Sequence, residues 1–112
     1  MITVKTEQDI VLLREGGRRL AAILDALEDA IAPGASTSFL NGVAEKLIRD
    51  GGDTPAFLNY HPHFAKRPYP ATLCVAVNDE VVHGIPTEEN KILKEGDVIG
   101  IDLGLVHGGR YT

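Results

Sequence analysis

The segment "DVIGIDLGLVHGGRYT" (residues 97–112) alternates bulky aliphatic residues with small ones and carries a carboxylate, Asp102, in its middle. Because successive side chains of a β-strand point to opposite faces, the segment predicts a strand with one bulky face and one small face. The bulky face consists of Ile99, Ile101, Leu103 and Leu105, and the small face of Val98, Gly100, Asp102, Gly104 and Val106. A buried, unpaired carboxylate costs several kcal/mol, so we expect Asp102 to have a metal ion, a cation or a hydrogen-bond network as its partner.

The preceding segment, "ATLCVAVNDEVVHGIP" (residues 71–86), predicts two strands joined by an Asn-Asp turn. In the first strand the bulky Leu73, Val75 and Val77 alternate with the smaller or more polar Thr72, Cys74, Ala76 and Asn78. A sheet with one aliphatic and one small-residue face predicts helices behind the first face and a ligand cavity in front of the second. The alternative is that Asp102, between two glycines, lies on an exposed sheet edge and binds nothing.

The first half of the chain has the three- and four-residue spacing of amphipathic helices. A first helix begins with a capping-box-like pair, Thr6 and Asp9. Its buried face is expected to contain Leu13, Gly17, Leu20, Leu24, Leu27 and Ile31. "PGAS" (residues 33–36) interrupts this helix, because proline and glycine do not continue one readily. A second helix, capped by Ser36 or Thr37, is expected to bury Leu40, Val43, Leu47 and Ile48.

The second half changes to strand-like patterns. "PAFL" (residues 55–58) predicts a short strand, and "HGG" (residues 107–109) predicts a hairpin turn before a returning strand. We therefore expect a single domain over residues 1–112 that is helical over residues 6–51 and strand-rich over residues 54–112.

Composition excludes several classes of function. The net charge of −5, the aromatic content of 5 % and the lack of Trp argue against a DNA-binding protein or a stacking platform for single strands. The single cysteine, Cys74, cannot form an internal disulfide, which fits a reducing cytoplasm. With no activating base evident, Cys74 is expected to be a packing residue. The sequence contains no signal-peptide pattern and no apolar stretch of about 18 residues, so we expect a cytoplasmic protein without a membrane partner.

Four histidines are candidates for chemistry. His83 follows two valines and precedes a Gly-Ile-Pro sequence, so it is expected at a strand end, a position that suits an acid, a base or a hydrogen-bond donor. His61 and His63 have a spacing that permits metal chelation, but they lie in a polar loop and are expected to be solvated. His107 lies in the predicted turn and is expected at the surface.

Two segments together resemble a known family. "YPATLCVAVNDEVVHGIP" (residues 69–86), followed by "LKEGDVIGIDLG" (residues 93–104), resembles the N-terminal half of type I methionine aminopeptidases. The helical segments "REGGRRLAAIL" (residues 14–24) and "PGASTSFLNGVAEKLI" (residues 33–48) resemble the same family, so the resemblance covers essentially the whole chain. It implies an α/β (α+β) fold that is half of a pita-bread fold, with two N-terminal helices packed on one face of a curved, mainly antiparallel sheet.

The resemblance also implies site residues. Asp102 matches the first carboxylate ligand of a site that holds two divalent metal ions, with Mn, Fe, Co or Zn as candidates. His83 matches the catalytic histidine that hydrogen-bonds the substrate near the reacting peptide bond. Tyr69 and Cys74 match positions that line the substrate-binding pocket for the N-terminal methionine side chain, which a soft and apolar wall suits.

The implied function is metal-dependent removal of N-terminal methionine from peptides and nascent proteins. The family's second carboxylate ligand would follow directly after Thr112, and its further ligands belong to a C-terminal half. The chain is therefore expected to be a half that needs a complementary half or a homodimer for activity. The alternative is a non-catalytic module that binds peptide N-termini or another protein. The loop over residues 60–68 looks longer than in the shortest family members, and the sequence leaves open whether it contacts substrate or another macromolecule such as the ribosome.

Overall fold

Two helices precede a set of short antiparallel strands in the computed structural model, which describes residues 2–112. The elements are α1 (Glu7–Ala30), α2 (Thr37–Asp50), β1 (Thr54–Pro55), β2 (Leu73–Val77), β3 (Ile99–Leu103), β4 (Leu105–His107) and β5 (Arg110–Tyr111). Strands β2 and β3 form one sheet, and β4 pairs with β1 and β5 in a second sheet. The expected α+β architecture with antiparallel pairing is confirmed.

Helix α1 begins at the predicted capping box. The Thr6 hydroxyl accepts a hydrogen bond from the Asp9 amide (3.1 Å), and the Asp9 carboxylate accepts one from the Thr6 amide (2.8 Å). The buried face is displaced from the expected one, since Gly16 and Ile23 are buried where Gly17 and Leu24 were predicted. Gly16 faces the end of the chain, and a Cβ added there would lie 3.0 Å from Thr112. His107 also approaches this position, at 3.4 Å, so contact with these two residues buries Gly16.

Helix α2 is capped by Ser36, whose hydroxyl accepts a hydrogen bond from the Phe39 amide (3.0 Å). Leu40 and Ile48 are fully buried, as expected. Asn41, which is also buried, accepts hydrogen bonds from the amides of Thr72 (2.9 Å) and Leu73 (3.0 Å). This buried amide connects the middle of α2 to the beginning of β2 and sets the position of the sheet relative to the helices.

The two helices cover the aliphatic face of the sheets, as the sequence predicts. The buried core contains Ile23, Leu27, Leu40, Ala44, Ile48, Leu73, Val75, Val77, Leu93, Leu103 and Leu105. The predicted final strand is divided at Gly104, whose carbonyl accepts a hydrogen bond from the Ala56 amide (3.1 Å). Within residues 2–112, neither helix combines the length and apolar character needed to cross a membrane.

The second strand predicted within residues 71–86 is wrong. Residues 80–84 form an irregular loop in which Val81 and Val82 are exposed. Positive φ angles at Asn78 (56°) and His83 (60°) bracket this loop, and a β-strand cannot contain them. "PAFL" is also shorter as a strand than predicted, because only Thr54–Pro55 pairs with β4.

The expectation that His107 is a surface residue is wrong. Its side chain is 18 % exposed, and its Nδ1 lies 2.7 Å from Oδ1 of the buried Asp53. Arg19 of α1 donates to the other oxygen of that carboxylate at 3.3 Å. The turn itself is confirmed, since Gly108 (φ 55°) and Gly109 (φ 77°) lead into β5. The hairpin is therefore held against α1 by a buried polar cluster.

Candidate active site

A cavity of about 500 Å³ opens on the small-residue face of the β2–β3 sheet. Four predicted site residues line it. Cys74 and Asp102 lie on strands β2 and β3, and Tyr69 and His83 lie in two separate loops. A smaller cavity of about 180 Å³ adjoins them and shares Cys74, His83 and Asp102 with the larger one. The structure therefore brings together the four residues that the sequence singled out.

Asp102 stands on β3 directly opposite Cys74 on β2. Its side chain is exposed and lines the cavity. Gly100 and Gly104 precede and follow it on the same face, and the lack of side chains there leaves the carboxylate accessible. Within residues 2–112 it has no ion pair, which leaves its oxygens free to bind a cation.

Tyr69 and Cys74 form one side of the cavity. The Tyr69 hydroxyl lies 3.1 Å from the Leu73 carbonyl and 2.9 Å from Cys74 Sγ. Since the hydroxyl donates to the carbonyl, the thiol is left to donate to the hydroxyl oxygen. Burial raises the pKa of the Cys74 thiol, and the nearby charge of Asp102 adds to the rise. Cys74 is therefore a neutral, soft wall and not a thiolate ligand or nucleophile.

The same surroundings act on the phenol. Burial raises the pKa of Tyr69, and the contact with Cys74 and the charge of Asp102 raise it further. The hydroxyl therefore stays protonated at neutral pH and keeps its hydrogen bond to Leu73. Asp102 is opposite Cys74 in the β2–β3 ladder and lines the same cavity, so its carboxylate lies beside this wall.

His83 is held at the rim of the cavity by an unusual backbone. Its φ of 60° is rare for a non-glycine residue, and Gly84 follows it. A Cβ added at Gly84 would lie 1.9 Å from the Val75 carbonyl oxygen, and the Gly84 carbonyl accepts a hydrogen bond from the Val75 amide (3.0 Å). The loop therefore crosses β2 in backbone contact, and this contact turns the exposed imidazole toward the cavity.

His61 and His63 do not join this site. Both side chains are exposed, as expected, and neither lines the cavity. His61 Nε2 lies 3.0 Å from the Ala65 carbonyl oxygen, and the His63 ring packs edge-on against Phe64 with 6.2 Å between centroids. The two histidines therefore shape the loop that contains them.

The cavity also has an aromatic wall that was not among the predicted site residues. Phe57, Tyr60 and Phe64 line it together with Tyr69, and they belong to one loop. The signal was present in the concentration of aromatic residues between Phe57 and Tyr69, in a chain with only 5 % aromatic residues.

Residues 2–112 can supply ligands to only one side of a divalent cation. Asp102 offers a hard oxygen donor of the kind that such ions prefer. Among residues 2–112, no three His, Cys, Asp or Glu side chains lie close enough together to hold a metal ion. A tightly bound ion therefore needs ligands in addition to those that this part of the site supplies.

The family of the chain follows from comparison with known proteins. Residues 11–112 match the model of Metallopeptidase family M24. The chain belongs to metallopeptidase family M24. As a family of metallopeptidases, M24 implies a divalent metal cofactor for its members.

Several methionine aminopeptidases resemble this M24 chain. It is 41 % identical over 108 residues to the methionine aminopeptidase of Aquifex aeolicus and 39 % identical over 111 residues to methionine aminopeptidase 1 of Bacillus subtilis. These matches cover 96 % and 99 % of the chain and 42 % of each relative. The chain thus spans about two fifths of the length of the curated relatives it matches.

The structure is also similar to solved methionine aminopeptidases. The enzyme of Thermotoga maritima matches with a TM-score of 0.88 and that of Rickettsia prowazekii with 0.87, each at 33 % identity. Each match covers 99 % of this chain and 42 % of the solved chain. The M24 chain therefore has the architecture of part of the pita-bread fold.

Proposed function

We propose that this chain forms one side of the active site of a metal-dependent methionine aminopeptidase. The observation that carries the proposal is the convergence of Tyr69, Cys74, His83 and Asp102 on one cavity. The similarity to proteins named methionine aminopeptidases supports the substrate class, which is peptides and nascent proteins with an N-terminal methionine. The single cysteine supports a cytoplasmic location.

Each side chain has a distinct role in this proposal. Asp102 ligates a divalent metal, which when bound supplies a Lewis acid and an activated water. His83 donates a hydrogen bond to the substrate at the peptide bond that is cleaved, because its loop holds the imidazole at the rim of the same cavity. The neutral thiol of Cys74 and the ring of Tyr69 contact the methionine side chain, whose polarisable sulfur suits this wall.

Catalysis by this site requires further metal ligands. One exposed carboxylate does not hold a catalytic ion tightly, because catalytic sites use about three protein ligands or more. We infer that a counterpart covering the cavity supplies them, either a complementary half or a second copy of this chain. The exposed Val81 and Val82 beside the cavity support a covering partner, since large apolar side chains grouped at a site favour contact.

The proposal is tested by hydrolysis of a Met-Ala-Ser peptide with added Mn²⁺, with Asp102→Asn as the test variant. The amide keeps the shape of the side chain but removes its charge, so both hydrolysis and Mn²⁺ affinity should be lost. Asp79→Asn, in an exposed turn, is the matched control and should retain both. Equal Mn²⁺ affinities of Asp102→Asn and the unchanged protein would contradict the proposal.

A non-catalytic module that binds peptide N-termini is the second candidate. It is favoured by the lack of a three-residue metal cluster among residues 2–112. This module predicts that Met-Ala-Ser binds equally well with Mn²⁺ and with a chelator, and that Asp102→Asn leaves the affinity unchanged. Calorimetric titration of the same proteins separates the two candidates, since the enzyme predicts loss of metal-dependent binding.

A further inference from the structure

The loop over residues 59–69 is anchored at its base. The Asn59 amide donates to the Tyr69 carbonyl, and the Tyr69 amide donates to the Tyr60 carbonyl, both at 2.8 Å. The Phe57 ring packs edge-on against the Tyr69 ring with 6.3 Å between centroids. A loop whose two ends are joined in this way is a compact unit of the kind that frequently carries function.

The loop is also braced beyond its base. Arg67 forms an ion pair with Glu88. This pair connects the loop over residues 59–69 to the segment that follows residues 80–84. Within the loop, the Ala65 amide donates to the Pro62 carbonyl (2.9 Å), which closes a turn. This bracing fixes the turn that presents Phe64.

Phe64 lies at the tip of this loop and lines the same cavity as Tyr69 and Asp102. Its side chain is 85 % exposed, and the described aromatic contact is with His63 alone. The nearby Arg67 is already paired with Glu88, so the surface offered at the tip is apolar and not cationic. A largely exposed aromatic ring at a cavity rim is suited to bind an apolar side chain.

The direction of a bound peptide indicates which side chain reaches this ring. In an extended peptide, side chains alternate, so the first and third point to the same side and are about 6.8 Å apart along the chain. If the first side chain lies against Tyr69 and Cys74, the third points toward the same aromatic wall, farther along. We propose that Phe64 is a specificity-determining residue that selects an apolar side chain at the third position of the substrate. This inference rests on the proposed function.

The test uses ¹⁹F NMR of the full chain with 4-fluorophenylalanine at position 64 or, in a second sample, at position 57 beside Tyr69. Met-Ala-Phe should shift the resonance at position 64, whereas Met-Ala-Gly should shift only the resonance at position 57. Hydrolysis with Mn²⁺ provides the second measurement. Phe64→Ala should reduce the preference for Met-Ala-Phe over Met-Ala-Gly by roughly threefold to tenfold. Phe39→Ala is the matched control, because Phe39 is an exposed phenylalanine on α2 that does not line the cavity.

The outcomes separate this inference from the proposed function. If position 57 responds to both peptides and position 64 to neither, the third-position role is wrong and the proposed function stands. A response of position 64 to a short RNA but not to peptides would likewise overturn it in favour of a nucleic-acid contact. If neither position responds and Asp102→Asn leaves the Mn²⁺ affinity unchanged, the proposed function fails and the third-position role fails with it.

Discussion

Cys74 and Asp102 are paired directly across the antiparallel ladder of β2 and β3. This register places a soft, neutral wall beside an exposed carboxylate in one cavity. A slip of one residue would turn Asp102 to the aliphatic face, because side chains alternate along a strand. The contacts that fix the register therefore also fix the candidate site.

Asn78 is the residue that pins this register at one end. Its backbone amide donates to the Val98 carbonyl (2.8 Å), and its side-chain oxygen accepts from the Val98 amide (3.0 Å). Its φ of 56° is one that Asn and Gly adopt more readily than other residues. Asn78→Ala should therefore lower the free energy of unfolding by about 1–3 kcal/mol, since it loses the side-chain hydrogen bonds to the Val98 amide and the Asp97 carboxylate and strains the backbone.

Urea denaturation measures this change. Asn78→Gly relieves the backbone strain but does not restore the lost hydrogen bonds, so its free energy of unfolding should lie between those of the unchanged protein and Asn78→Ala. Equal stability of all three proteins would show that the turn does not fix the register.

Gly84 should be required for the position of His83. A methyl group at position 84 would lie 1.9 Å from the Val75 carbonyl oxygen, so the loop must move away from β2. Gly84→Ala should reduce the free energy of unfolding by about 1–3 kcal/mol and displace the His83 resonances in ¹H–¹³C NMR spectra. Gly42→Ala is the matched control, because a methyl group there meets no atom within 4 Å. As a helix-interior change it should stabilise the protein by about 0.5–1 kcal/mol.

Alternation of side chains was sufficient to predict which face of β2 and β3 carries the cavity. It could not predict the course of residues 80–84, because "EVVH" has the composition of a strand and is excluded from one by positive φ angles at Asn78 and His83. Asn78 is held by Val98, and the His83 loop contacts β2 through Gly84; neither contact is encoded locally. The pairing of His107 with Asp53 was missed for a similar reason, since the two residues are far apart in the sequence and meet only when β1 pairs with β4.

The ion pair between Asp9 and Arg110 should make stability dependent on acid pH. Asp9 accepts hydrogen bonds from the Thr6 amide and, at 2.6 Å, from Arg110, and these bonds lower its pKa from 3.8 to about 2. A carboxyl group with a lower pKa in the folded state stabilises the protein at pH values above its unfolded pKa. That stabilisation should disappear as the pH falls from about 4 to about 2.

The measurement is the difference in free energy of unfolding between the unchanged protein and Asp9→Asn from pH 6 to pH 2. The difference should be constant above pH 5 and should shrink toward pH 2. Asp25→Asn, exposed on the same helix, controls for the loss of one negative charge. A difference that stays constant down to pH 2 would contradict the assigned role of Asp9.

The buried Asp53 should make His107 important for stability. Its carboxylate is 4 % exposed and has two partners, His107 at 2.7 Å and Arg19 at 3.3 Å. His107→Ala removes the shorter contact and leaves a buried oxygen without its donor, so we expect a loss of about 1–3 kcal/mol in the free energy of unfolding. His61→Ala, at an exposed position, should change it by less than about 0.5 kcal/mol.

Because the hairpin follows β3 directly, loosening it should also broaden the NMR signals of Asp102. If the Asp102 signals in His107→Ala stay sharp and unshifted, the His107–Asp53 pair holds the hairpin against α1 but does not affect the candidate site.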